Sequence, residues 1–192
     1  TTQMKSVGET MSIGKNFKIS LQKALRSLEI GRYGFGADGK DSEYQSKSDE
    51  DVKAELIRPN AFRLFYIRAA FKRGWSIETV NKLTGIDIWF LRHMHELAAY
   101  EHEIASAKTL KNLSKDKALF LQTKEFGYSD RQIAFLLNST EIEVRKARKN
   151  LGIVPTYNLV DTCAGEFEAY TPYYYSSYGT LNESTSDNKK KI

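Results

Sequence analysis

Signals for the start of an α-helix recur from Ser48 to Leu151, and they constrain the fold more than any other feature of the chain. Each is a Ser, Thr or Asp whose side-chain oxygen can accept a hydrogen bond from a free backbone N–H of the first turn. They are Ser48 ahead of the acidic turn 49–51, Ser76, Asp87, and the capping boxes Ser129–Gln132 and Thr140–Glu143. Breaks at Pro59, Gly74 and Gly85 separate the segments. The sequence therefore predicts a mainly all-α, helical bundle-like domain.

The first 31 residues predict a short strand followed by one helix. Alternation within residues 4–14 is typical of an extended segment, with Val7, Glu9, Met11 and Ile13 on one side. Asn16 is placed to cap a helix that ends near Gly31. Residues 31–47 contain four glycines among polar residues, so they predict a flexible loop.

After Pro155 the helical pattern gives way to an extended connection. Residues 154–160 have the β-branched and aromatic content of an extended segment. Residues 170–178 contain five tyrosines without a helical period, and they predict an irregular segment lying on another surface. Residues 182–191 are polar and low in complexity, as in a linker.

The composition is ordinary for a globular protein. Hydrophobic residues make up 41% of the chain and charged residues 28%. Its length of 192 residues suits one domain, or one domain with remnants of its neighbours. No run of residues is long and apolar enough to span a membrane. The single Cys163, read as a small packed residue, cannot form an internal disulfide, which indicates a reducing, cytoplasmic setting.

Positive charge is concentrated in one part of the sequence. The formal net charge is +5, and from Lys108 to Lys149 ten basic residues stand against five acidic ones. Such an excess can face a phosphate backbone or an acidic protein partner, although a solvated helix surface is the simpler interpretation.

No pattern predicts catalytic, cofactor-binding or metal-binding residues. His93, His95 and His102 lie on one predicted helix, but their spacing lacks the two histidines four apart of a zinc-protease helix. Residues 34–39 match G-x-G-x-x-G literally, yet no strand is predicted before them and no helix after them, as a dinucleotide site requires.

Residues 127–151 offer the alternative functional reading, a helix-turn-helix that binds nucleic acid. Two short helices flank a turn at residues 138–139, and the second carries basic residues. In a DNA reader the N-terminal residues of that helix meet the base edges. Here those residues are Glu141 and Glu143, which phosphates would repel, so these charges disfavour nucleic-acid binding.

Six stretches of the sequence are similar to one known family: residues 1–9 (TTQMKSVGE), 20–29 (SLQKALRSLE), 85–91, 160–167, 171–176 and 189–192. Together they resemble the large subunit of glutamine-dependent carbamoyl-phosphate synthase. Residues 1–9 and 20–29 look like the end of that protein's first ATP-grasp half. Residues 85–91 (GIDIWFL) are similar to its central helical region, and residues 160–167 (VDTCAGEF) with 171–176 (TPYYYS) to the exit from it. The final KKKI, residues 189–192, looks like the first strand of the second half. We therefore expect the chain to be a piece of a longer protein.

The resemblance implies a division at residues 1–31, 32–160 and 161–192. These are the end of the first, carboxyphosphate half, the helical oligomerisation domain, and an extended connection into the second, carbamoyl-phosphate half. In that family the large subunit makes carbamoyl phosphate from bicarbonate, two ATP and ammonia from a glutaminase small subunit, for arginine and pyrimidine biosynthesis. ATP and its Mg²⁺ or Mn²⁺ are implied for the neighbouring domains, so this chain alone is expected to be inactive.

The role implied for the central domain is self-association. Phe65, Trp75, Trp89 and Phe90 have the helical spacing of core residues, since large aromatic side chains usually pack inward. The candidate association surface is instead the basic helix, with Arg145, Lys146, Arg148 and Lys149.

Overall fold

The computed structural model describes residues 9–167 and 173–184, which contain ten α-helices and two β-strands. The helices are α1 (Phe17–Ser27), α2 (Ser42–Gln45), α3 (Asp49–Ile57), α4 (Arg63–Lys72), α5 (Ile77–Thr84), α6 (Ile88–Ser106), α7 (Leu110–Leu113), α8 (Lys117–Glu125), α9 (Asp130–Leu136) and α10 (Glu141–Asn150). The strands are β1 (Thr156–Leu159) and β2 (Tyr174–Ser177), an antiparallel pair with Thr156 opposite Ser177. The prediction of a mainly all-α fold is confirmed. None of the described helices is long and apolar enough to cross a bilayer.

The caps predicted from the sequence begin the helices. The Oδ1 atom of Asn16 accepts from the backbone N–H of Ile19 at 3.1 Å, and Ser129 and Thr140 each form a complete capping box. The other predicted caps also accept from their first turns: Ser48, Ser76 and Asp87. Each such cap stabilises its helix by about 1 kcal/mol. Helices α2 and α7 were not predicted, because a single turn has no periodicity to detect.

Helix α6 is the centre of the bundle. It packs against α1, α4, α5 and α9, and Leu91, Leu97 and Ile104 on its inner face are fully buried. The core is one continuous cluster that runs from Leu25 in α1 to Ile153, just after α10. One shared core explains why helices far apart in sequence hold a fixed arrangement.

The same three-residue signal, Gly-aromatic-Ser, precedes two helix pairs. Residues 74–76 come before α5 and α6, and residues 127–129 before α9 and α10. Both glycines have a left-handed backbone, and the N–H groups of Trp75 and Tyr128 donate five residues back to the helix that has just ended. The signal therefore closes one helix and places the serine that caps the next.

The strand predicted for residues 4–14 is wrong over the described residues 9–14, which are irregular; residues 4–8 lie outside the described part. A strand needs a hydrogen-bonded neighbour, and this segment bonds to α1 instead. The Lys23 Nζ donates to the Ile13 carbonyl at 2.7 Å, and the Ser12 hydroxyl donates to the Ser20 carbonyl at 2.9 Å. Helix α1 also ends at Ser27, before the predicted stop at Gly31, because the backbone turns left-handed at Glu29.

Residues 31–41, which we call the buried loop, are not an exposed flexible loop. Phe35 is only 2% exposed, and its N–H donates to Oε1 of Gln22 in α1 at 2.7 Å. The Nε2 of Gln132 in α9 donates to the Gly36 carbonyl at 2.7 Å. The glycines allow this close approach, since a Cβ on Gly36 would lie 2.1 Å from Nε of Arg68.

A buried ion-pair network fastens the buried loop to the bundle. Arg68 in α4 holds Glu101 in α6 through two hydrogen bonds of 2.8 and 2.7 Å, and it reaches Asp41 at 3.0 Å. Arg32 pairs with Asp38 and Asp41. Burial acts to lower the pKa of Arg68, but Glu101 outweighs it and the pKa is raised. Arg68 therefore stays charged, and its ion pairs link the buried loop to α4 and α6.

The C-terminal region contains a strand where an irregular segment was predicted. Within residues 170–178 the described part includes β2, so the prediction is wrong for Tyr174–Ser177; residues 170–172 lie outside it. The extended prediction for 154–160 is confirmed by β1. The described start of the predicted linker, residues 182–184, bonds to β1: the N–H of Tyr157 donates to Asn182 Oδ1 at 2.8 Å. Residues 185–192, including the final lysines, are outside the described part. The divisions at residues 31 and 160 stay predictions.

Candidate association surface

An aromatic patch lies where α1 meets the start of α6. It consists of Phe17, Ile88, Trp89 and Phe90. The rings of Trp89 and Phe90 are edge-to-face at 4.9 Å, and Phe17 is 5.5 Å from Trp89 and 5.2 Å from Phe90. Trp89 is 51% exposed and Phe90 41% exposed. The patch is thus an ordered apolar surface in contact with solvent.

Local sequence explains why these rings project outward. The Asp87 carboxylate accepts from the N–H of Trp89 at 2.8 Å, which starts α6 one residue ahead of the patch. A helix buries one face, and on α6 that face belongs to Leu91, Met94 and Leu97. The ion pair between Lys18 in α1 and Glu96 in α6 holds the two helices together beside the patch.

The sequence-based placement of the four large aromatic residues is half right. Phe65 is buried and Trp75 packs against the core, as predicted. The prediction that Trp89 and Phe90 are core residues is wrong, since both are exposed. Helical spacing shows that residues share a face, but it does not show whether a neighbour covers that face. Three consecutive apolar residues, 88–90, directly after a cap were the signal available in the sequence.

The basic helix α10 divides into a buried and an exposed part. Arg148 is only 8% exposed, and its Nε donates to both carboxylate oxygens of Asp130 at 3.1 and 3.0 Å. Arg148 is therefore a structural ion-pair residue and does not belong to an exposed surface. Arg145 is exposed and pairs with Glu141, while Lys146 and Lys149 are exposed. A contact role for those three residues stays a prediction.

A second charged site lies between α1, the α8–α9 turn and the β-hairpin. Lys23, Arg26 and Lys124 line a cavity of about 280 Å³ there, which we call the basic cavity. Burial lowers the pKa of Lys124 to about 8 and that of Arg26 to about 10. The pKa of Asp130 is lowered, because the attraction of Lys124 and Arg148 outweighs the effect of burial. Sequence reasoning missed this site because its cations come from distant segments.

The histidines, Cys163 and the helix-turn-helix segment were the other candidates considered from the sequence. No group of three or more His, Cys, Asp or Glu side chains in residues 9–167 and 173–184 could hold a metal ion. Cys163 is half-buried. Nothing supports the nucleic-acid reading of α9 and α10. The predictions that catalytic and cofactor residues are absent remain untested.

A helical domain whose exposed apolar side chains form an ordered patch has the features of an association module. The chain belongs to the family of carbamoyl-phosphate synthetase large-chain oligomerisation domains, which matches residues 9–152. This confirms the resemblance inferred from the sequence.

Several relatives are similar to the chain over all or most of its length. The carbamoyl phosphate synthase large chain of Archaeoglobus fulgidus is 47% identical over 194 residues, which cover 100% of this chain and 18% of the relative. The N-terminal section of the carbamoyl phosphate synthase large chain of Aquifex aeolicus is 49% identical over 178 residues, which cover 93% of this chain and 30% of the relative. The arginine-specific chloroplastic large chain of Arabidopsis thaliana is 47% identical over 192 residues, which cover 100% of this chain and 16% of the relative. The chain thus spans less than a third of each of these relatives.

Proposed function

We propose that this chain is the part of a carbamoyl-phosphate synthase large chain through which copies associate. The observation that carries the proposal is the aromatic patch on a domain of the oligomerisation family. Covering Trp89 and Phe90 would remove apolar area from water, which is the main favourable term in protein association. Aromatic side chains at the centre of a contact often dominate its binding energy.

The rest of the enzyme's work is proposed for segments outside this chain. The relatives are named as synthase large chains, so we infer that synthesis of carbamoyl phosphate, with its ATP and Mg²⁺ or Mn²⁺, belongs to neighbouring ATP-grasp halves. A glutaminase small subunit, a cytoplasmic setting and a place in arginine or pyrimidine biosynthesis are part of the same proposal. One relative is named as arginine-specific, which favours the arginine assignment.

Sedimentation velocity over a wide dilution series tests the association surface. We expect the wild-type chain to form a reversible dimer or larger species, and the double variant Trp89→Ser/Phe90→Ser to stay monomeric over the same concentrations. Ile142→Ser is the matched control, because Ile142 is an exposed apolar residue of α10 and is not one of the patch residues. It should associate like the wild type.

Two other results would count against the proposal. If Lys146→Glu/Lys149→Glu abolishes association and the patch variant does not, the contact belongs to the basic helix. A wild-type chain that is monomeric at every concentration would show that these residues alone do not self-associate.

A further inference from the structure

The positive charge that lines the basic cavity is not balanced by acidic residues in the described lining. Among the described residues that line it are two lysines and an arginine, and none is acidic. The nearest carboxylate is Asp130, which pairs with Lys124 at 2.8 Å. Asp130 also pairs with Arg148 at 3.0 Å and with Arg145 at 3.6 Å. One carboxylate therefore serves three cations, and Lys23 and Arg26 form no ion pair with any described residue.

Each lining cation keeps unused donors. The Lys23 Nζ donates to the carbonyls of Ile13 and Ser176 at 2.7 and 3.0 Å. The Lys124 Nζ donates to the Tyr128 carbonyl at 2.6 Å and to Asp130. Arg26 donates only its Nη1, to the Gly127 carbonyl at 2.8 Å, in the described structure. An ammonium group has three donors and a guanidinium has five, so all three groups have donors left.

The surroundings hold these cations in place. Lys124 is almost fully buried and lies 5.2 Å from the centre of the Tyr178 ring. Lys23 contacts carbonyls of the segment before α1 and of the β-hairpin, and Arg26 contacts a carbonyl of the α8–α9 turn. Uncompensated buried charge is costly, and the lowered pKa values of Lys124 and Arg26 reflect that cost. A bound anion would relieve it.

We propose that the basic cavity binds a phosphate group. Convergent ammonium and guanidinium donors in a partly desolvated site suit an oxyanion with several acceptor oxygens, since charge-assisted hydrogen bonds are the strong ones. A volume of about 280 Å³ admits either inorganic phosphate or a small phosphate monoester. This site is separate from the aromatic patch, and it does not depend on the association proposed above.

Phosphate titrations followed by ¹H–¹⁵N NMR of the 192-residue chain test the site. The buffer is free of phosphate, at pH 7, with ionic strength held constant by sodium chloride. We expect saturable shifts confined to amides that line the basic cavity, such as Gly127, Tyr128 and Ser176. Glycerol phosphate in a second titration distinguishes a monoester from the free ion by which of the two binds more tightly.

Charge-neutralising variants decide whether the cavity is responsible. Arg26→Gln and Lys23→Gln should each weaken phosphate binding at least tenfold. Lys149→Gln, which removes the same charge from the exposed side of α10, should change it less than twofold. If circular dichroism shows that Arg26→Gln is unfolded, Lys23→Gln alone tests the contribution of the basic cavity. Absence of a saturable shift with both ligands, or equal weakening in all three variants, would overturn the proposal.

Discussion

At Gly36 the guanidinium of Arg68 occupies the space that a side chain would need. A Cβ there would lie 2.1 Å from Nε of Arg68, the atom that donates to Glu101. We expect Gly36→Ala to lower the free energy of unfolding by about 3 kcal/mol or more, because displacing Arg68 leaves Glu101 buried and without its main partner. Urea denaturation monitored by circular dichroism measures the change.

Gly74→Ala is the control for the loss of a glycine. Gly74 has a φ of +81°, but no atom lies within 4 Å of the Cβ position. Gly74→Ala should lower the free energy of unfolding only by the cost of backbone strain, about 1 kcal/mol. Equal losses in the two variants would show that the contact with Arg68 does not matter.

We expect the free energy of unfolding to depend on pH because of Lys124, which is buried where α8, α9 and α10 meet. Burial lowers the pKa of Lys124 from 10.5 to about 8. Between these values the unfolded chain binds more protons than the folded chain, so the free energy of unfolding rises with pH. We expect a gain of about 1–2 kcal/mol from pH 8 to 9.5, measured by urea denaturation at each pH. Burial raises the pKa of Tyr128 and Tyr178, and these groups oppose the trend only nearer pH 10.

Substitution of Lys124 isolates its contribution. Lys124→Met should remove most of the rise, whereas Lys149→Met should keep it because Lys149 is exposed. A rise of the same size in both variants would place its origin in other groups.

Helix starts were predictable because a cap is a local interaction. Ser129 and Thr140 bond to N–H groups three residues away, so sequence alone contains both partners. Burial of Arg148 depends on Asp130, eighteen residues away, and the exposure of Trp89 depends on how α1 lies beside α6. The buried loop looked polar and glycine-rich, yet its glycines permit contact with Gln22, Arg68 and Gln132. Such contacts are set by the tertiary fold, which residue spacing does not reveal.

Across the whole molecule, the β-hairpin should open before the helical core. Strands β1 and β2 supply no residue to the buried core cluster, and a two-stranded hairpin is marginally stable by itself. Hydrogen exchange measured by mass spectrometry should therefore be faster by at least tenfold in residues 156–159 and 174–177 than in the middle of α6. Equal protection in both regions would mean that the hairpin and the bundle unfold as one unit.

The position of Trp89 gives the chain a built-in optical reporter. The sequence has two tryptophans, and Trp75 packs against the core while Trp89 stands half in solvent. Indole emission moves to shorter wavelength when water leaves the ring, so covering the patch changes the emission of one of only two tryptophans. Binding of a partner to the aromatic patch can therefore be monitored by intrinsic fluorescence, without attaching a dye.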